Sequence, residues 1–303
     1  MTRGEKKPLR AVADSAELSA AAFVEYACRT LHFNNSGDSS MRLTLCFTIV
    51  VAVAASAAAA ADKKKTTYRL PKDPKAVVIS FDYKGGFTPR PRNTAPVLSI
   101  LADGTVLMPD RYGFSKDVKG KISRSELQDL LRFAIERNKF FSYDPKKVKA
   151  KIREAEKDKP VPRIADAPSS VFEIRTADRT HKVSHYALGM VGRFYKGVDE
   201  LQQLYAIQQR LNRLMNETRL GGKGELGKIL KLANAELKKQ HPKAKPLSIA
   251  DLRSVNIRRD GTKSVSFYRF GKTADGKPNR TYVGVGIQIP VKGDPKVSIR
   301  AKL

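Results

Sequence analysis

Four kinds of residue set in this chain have the types and spacing to do chemistry. His181 and His185 stand at the H-x-x-x-H interval that chelates zinc on a helix. Residues 181–187 are rich in strand formers, however, and four strand steps of roughly 3.3 Å set the two rings about 13 Å apart on one face. They cannot share an ion there, and His241 stands alone before Pro242. Residues 222–228, G-K-G-E-L-G-K, nearly spell the phosphate-binding loop. Position 229 is Ile where a magnesium-holding hydroxyl belongs, and the preceding segment reads as helix where the motif needs a strand. Asp82, Asp166, Asp178 and Asp251 fall at strand ends or turns, where turn chemistry accounts for them. No G-x-S-x-G elbow is present.

The fourth set interleaves cations with aromatic rings: R-Y-G-F at 111–114, R-F-Y-K at 193–196 and F-Y-R-F at 267–270. Ring faces flanked by cations can stack on sugars or unpaired bases and hold an anionic backbone. Arg193, Tyr195, Lys196, Tyr268 and Arg269 are the candidate contacts on this reading. Strand alternation offers a plainer account of the last stretch. Phe267 shares a face with Arg269, and Tyr268 shares the other with Phe270, so one member of each pair would simply fill a core.

The elements that must position these residues follow from periodicity. Residues 77–83 are β-branched and aromatic, and Gly85-Gly86 follow them. Asp103-Gly104 between apolar runs predicts a hairpin in 96–108. Ser123 with Glu126 three residues later is a capping box, and Leu127, Leu130, Leu131, Ala134 and Ile135 then recur at helical spacing to about Lys139. Asp144-Pro145 predicts a second helix start, opening an exposed helix over 146–157. Residues 171–176 and 181–187 predict a second hairpin, and 198–217 a long amphipathic helix. The order β-β-α-α-β-β-α gives the α+β class, helices packed on an antiparallel sheet. Residues 219–224 break the pattern as a linker between a domain over 76–218 and a second over 225–303. In the second, Leu226, Ile229, Leu230, Ala233 and Leu237 mark a helix that ends before Pro242. Period-2 segments around Asp260-Gly261 and 292–295 follow, a three- to four-strand meander. One helix and a meander resembles the cystatin-like arrangement in element order alone.

The D-G-T-V strand at 103–106, the helix signature with Gly120 and residues 125–131, the Phe140-Phe141 turn and D-A-P-S-S-V-F-E-I at 166–174 form one layout. Over 76–215 it resembles families of uncharacterised exported bacterial proteins. Those families have no assigned activity, so the resemblance implies the fold and export only.

Export is also the reading of residues 41–61. Arg42 precedes an apolar run from Leu43 to Val53, and an alanine-rich tail follows with A-x-A frames, which is the layout of a signal peptide cleaved near Ala59 to Ala61. Residues 1–40 then reflect a misassigned start, with translation beginning at Met41. The rival reading keeps 43–61 as a single-span membrane anchor, since about 19 uncharged residues reach across a bilayer. Residues 62–75, rich in Lys and Pro, read as a spacer. Both cysteines, Cys28 and Cys46, precede the cleavage point, so an exported chain holds neither disulfide nor thiolate metal site.

The 303-residue chain carries 58 basic and 30 acidic side chains, a formal charge of +28. Removing residues 1–61 takes away six basic and five acidic ones, so the balance barely changes. Such a charge speaks of partners and solubility and leaves the fold open. The expectation is a periplasmic or extracellular, non-enzymatic module that binds an anionic envelope polymer or acidic protein through a basic surface, with no cofactor. Nucleic acid fits the charge but has no motif, and a membrane enters only if 43–61 stays uncleaved. One alternative is a protein-interaction or inhibitor domain acting through the C-terminal sheet. Another is a hydrolase whose site assembles only in three dimensions.

Overall fold

A computed structural model describes residues 66–87, 91, 93–113, 116–157, 164–272 and 278–302. The signal-peptide and anchor readings of 41–61, and the reading of 1–40, lie outside the described residues. Thr66–Leu303 forms one compact unit, of mixed α+β class with two antiparallel sheets. No helix among the described residues is long and apolar enough to cross a membrane.

The first sheet has six strands in the order β4-β3-β2-β1-β5-β6. They are β1 (Val77–Lys84), β2 (Leu98–Leu101), β3 (Thr105–Met108), β4 (Val118–Lys121), β5 (Ser169–Arg175) and β6 (Thr180–Tyr186). The β2–β3 hairpin turns at Asp103-Gly104. Asp103 accepts from the Thr105 amide at 2.8 Å, and Gly104 takes a φ of +85°, which only glycine adopts cheaply. On β1, Phe81 faces Leu98 of β2 on one side and Phe172 of β5 on the other. The Phe81 and Phe172 rings stack at 5.0 Å.

Helix α1 (Arg124–Arg132) starts at the capping box. Ser123 accepts from the Glu126 amide at 3.1 Å, and Glu126 accepts from the Ser123 amide at 2.8 Å. It continues as a π-helical turn (Phe133–Arg137), and a 3-10 turn (Phe140–Ser142) then buries Phe140. Helix α2 (Pro145–Glu156) starts on the Asp144 cap and buries only Val148. Helix α4 (Asp199–Leu220) is the long one. Leu201, Leu204, Ile207, Leu211 and Met215 join the α1 stripe and the β1, β2 and β5 apolar residues in one core.

Two elements have no counterpart in the periodicity. Strand β4 has a single apolar residue in V-K-G-K and is held by pairing with β3. Helix α3 (Leu188–Phe194) contains two glycines, poor helix formers, and rests on packing against α4. Residues 66–76 also differ from an unstructured spacer. Tyr68 and Leu70 pack on the first core, and Gln128 exchanges hydrogen bonds with the Tyr68 backbone at 2.8 and 2.9 Å.

Gly221 and Gly222, both at positive φ, separate α4 from α5 (Lys223–Gln240). A 3-10 turn (Ile249–Asp251) leads into the second sheet, a meander of order β10-β9-β8-β7. Its strands are β7 (Leu252–Ile257), β8 (Lys263–Lys272), β9 (Pro278–Ile289) and β10 (Lys296–Lys302). Leu226, Ile229, Ala233 and Leu237 of α5 meet Val255, Val265, Phe267, Val283, Val285 and Ile287 in a second core, which Leu220 of α4 joins. Helix and meander thus sit as the period switch predicts.

Candidate polyanion-binding face

The inner face of the second sheet packs on α5, so alternation sends every other side chain outward. On β8, Phe267 is buried, whereas Tyr268 and Phe270 point away from the core and Phe270 is 56% exposed. Strand register sets two rows across this outer face. Phe270 pairs with Tyr282, and Tyr282 with Lys302; Tyr268 pairs with Gly284, and Gly284 with Arg300. The Tyr268 ring lies 4.7 Å from Phe270, edge to face, and 5.6 Å from Tyr282 at an interplanar angle of 13°. Gly284 makes this arrangement fit. A Cβ there would stand 3.1 Å from Cδ2 of Tyr268, so the bare backbone lets the tyrosine lie across β9.

Cations flank the rings. Lys296, Arg300 and Lys302 are exposed on β10, and successive outward positions on one strand are about 7 Å apart. Ser254 and Ser266 hydrogen-bond each other at 2.8 Å further along the face. No aspartate or glutamate shares the face among the described residues. The arrangement therefore offers stacking surface and positive charge with no internal counter-charge. It can take a ligand of flat rings and spaced negative groups.

The five candidates read from the sequence occupy different surroundings. Tyr268 lies in the aromatic row. Arg269 points to the inner side, where its guanidinium donates to the Pro246 carbonyl at 2.8 Å and to that of Lys245, with Asp251 at 3.5 Å. Those bonds staple the 245–251 turn to β8. Tyr195 is buried and donates to Glu156 at 2.7 Å, and burial with that carboxylate pushes its hydroxyl up to about 12. Lys196 is exposed, and Arg193 is exposed with its Nε 3.3 Å from the Tyr205 hydroxyl. Tyr282, Arg300 and Lys302 were not singled out by sequence. Only their parity in T-Y-V-G-V-G-I-Q and K-V-S-I-R-A-K marks them as outward, and only the register makes them neighbours of Tyr268.

The other polar candidates are engaged structurally. Asp82 and Arg111 form a buried ion pair. Asp178 pairs with Arg69 at 2.9 Å on the surface, and Asp251 caps the 3-10 turn through Ser248. His181 and His185 both lie on β6, with His181 edge-on to Phe140 and Phe141. Residues 222–228 open α5 directly after α4, and no strand precedes them. Comparison with family models, with curated proteins and with solved structures gives no match.

Proposed function

We propose that this chain is an exported, basic, non-enzymatic binding module whose partner is an anionic polymer of the cell envelope, engaged across the outer face of the C-terminal sheet. The observation that carries the reading is the Tyr268, Phe270 and Tyr282 cluster bordered by Arg300 and Lys302 on a face whose described residues include no carboxylate. The formal charge of +28 supplies the long-range attraction that brings a polyanion to it. Aromatic contacts then add a term that salt does not screen, about 1–3 kcal/mol per stacked ring where measured for bases.

Heparin resin and linear polyphosphate are suitable probes. The native protein is retained on heparin at low salt and elutes steeply as salt rises, because each neutralised contact releases counterions. The double variant Arg300→Gln/Lys302→Gln elutes at lower salt. Tyr268→Ala weakens binding to heparin, which carries sugar rings, with little change in salt dependence, while leaving binding to the ringless polyphosphate unchanged. Passage of the native protein through the resin at low salt, or elution of all variants together, removes the reading.

A further inference from the structure

A second basic feature lies apart from the aromatic face. A cavity of about 460 Å³ sits between α4 and the start of β7, with Tyr83 at the end of β1 and Arg193 of α3 completing its wall. Arg193, Arg213, Arg219 and Arg253 line it, and among the described residues no aspartate or glutamate does. None of the four is paired with a carboxylate among the described residues. Arg193 reaches only the Tyr205 hydroxyl, Arg253 the Tyr268 carbonyl at 3.0 Å, and Arg219 the Val255 carbonyl at 3.4 Å.

Arg219 is the telling member. Its side chain is half-buried, and burial makes its charged form less favourable than in solution. A cation in that position needs a partner, and a backbone carbonyl at 3.4 Å is a weak one. The wall beside it is polar and fixed. Gln208 donates to the Tyr83 hydroxyl at 3.1 Å, and that hydroxyl lies 3.3 Å from Asn212 Oδ1. The basic cavity at the α1–α5 junction makes a useful contrast. Lys119, Lys121, Arg210 and Lys223 line it, but Glu126 and Glu217 line it too, and Lys223 is already paired with Glu126. Like charges gathered without a counter-ion repel one another, and a ligand that supplies the missing negative charge relieves that repulsion. Guanidinium groups also match phosphate and carboxylate oxygens in a two-pronged geometry that ammonium groups do not offer.

We infer that this arginine-lined cavity is a binding site for a small, multiply charged anion, a molecule carrying two phosphate or carboxylate groups, distinct from the polymer-binding face. The volume exceeds what one inorganic phosphate fills and lies in the range of small-molecule sites. Four arginines around one cavity call for more than one anionic group. This site stands whether or not the outer face of the sheet binds a polymer.

Isothermal titration of the native protein with inorganic pyrophosphate and with citrate tests it, alongside three variants. Arg213→Gln removes an exposed cavity cation. Arg219→Gln removes the half-buried one. Arg300→Gln removes a cation from the distant β10 face. The expected result is one site that binds pyrophosphate or citrate more tightly than inorganic phosphate. Arg213→Gln and Arg219→Gln should each weaken it at least tenfold, and Arg300→Gln less than twofold. Should Arg219→Gln fold poorly, Arg213→Gln decides alone. Absence of saturable binding to either anion overturns the proposal. So does equal weakening by Arg300→Gln and Arg213→Gln, which would mark diffuse attraction to net charge.

Discussion

Replacing Asp82 by Asn should cost this fold more than any surface charge change of the same kind. Asp82 and Arg111 are 4% and 7% exposed. Asp82 accepts from Arg111 and from the Tyr83 amide at 2.8 Å, while Nε of Arg111 is buried without a partner among the described residues. Asp82→Asn keeps the shape but leaves a guanidinium uncompensated in a dry site, and breaking such pairs costs about 3–5 kcal/mol. For a folding unit of this size each kcal/mol lowers Tm by about 2–4 °C, so the expected drop is about 6–20 °C. Urea unfolding followed by circular dichroism should show a lower midpoint at an unchanged slope. Asp178→Asn is the control. It breaks the Arg69 pair, whose side chains are 78% and 64% exposed, and should cost under about 1 kcal/mol. The double replacement Asp82→Leu/Arg111→Met removes both charges and should recover most of the loss, because a buried ion pair gains little over well-packed apolar groups. If Asp82→Asn loses no more than Asp178→Asn, the premise that Arg111 is stranded without its carboxylate is refuted.

Further outcomes follow from the caps and turns. Gly104→Ala should destabilise by about 2 kcal/mol or more in the same urea assay, since a Cβ there meets the Ile122 carbonyl oxygen at 2.2 Å on a backbone at φ +85°; a loss within experimental error would contradict the turn. Glu126 should titrate near 2 in a carboxyl-detected NMR experiment, held down first by its hydrogen bond to Lys223 and then by the Ser123 amide. Its folded value lies below the ordinary 4.5, so its contribution to stability is complete above pH 4.5 and is lost as the pH falls toward 2. Lys223→Gln should move the midpoint up toward 4.5, and an unmoved midpoint would show that Lys223 is not the cause.

How far the sequence reached depended on the range of the interaction. Signals confined to a few residues told the truth. The Asp103-Gly104 turn, the Ser123/Glu126 box, the Asp144-Pro145 start and the α5 stripe all stand where their local chemistry puts them. Elements that exist through their neighbours gave no signal. Strand β4 is a strand because β3 lies beside it, and α3 is a helix because α4 supports it. The sites depended on longer range still. Arg111 and Asp82 are 29 positions apart. Tyr268 and Tyr282 become neighbours only through the β8–β9 register, and the arginine cavity collects residues from β1, α3, α4 and β7. The F-Y-R-F alternation put Phe267 with Arg269 on one face and Tyr268 with Phe270 on the other, but it did not say which face is the core, and the structure turns both Tyr268 and Phe270 outward. The alternation also did not show that Arg269 would reach round to the Lys245 and Pro246 carbonyls.

Helix α4 belongs to both cores. Its first four turns fill the larger one, Leu220 enters the smaller, and Asn216 and Arg219 hold the two sides of the Val255 peptide on the edge strand β7. A proteolytic nick at Gly221-Gly222 would therefore not liberate two self-sufficient halves. The C-terminal fragment would lose a wall of its interior and gain a raw strand edge, the kind of surface on which chains assemble into aggregates. Damage on either side of the glycines should travel through that one rod, so the unit Thr66–Leu303 should melt as a single cooperative body.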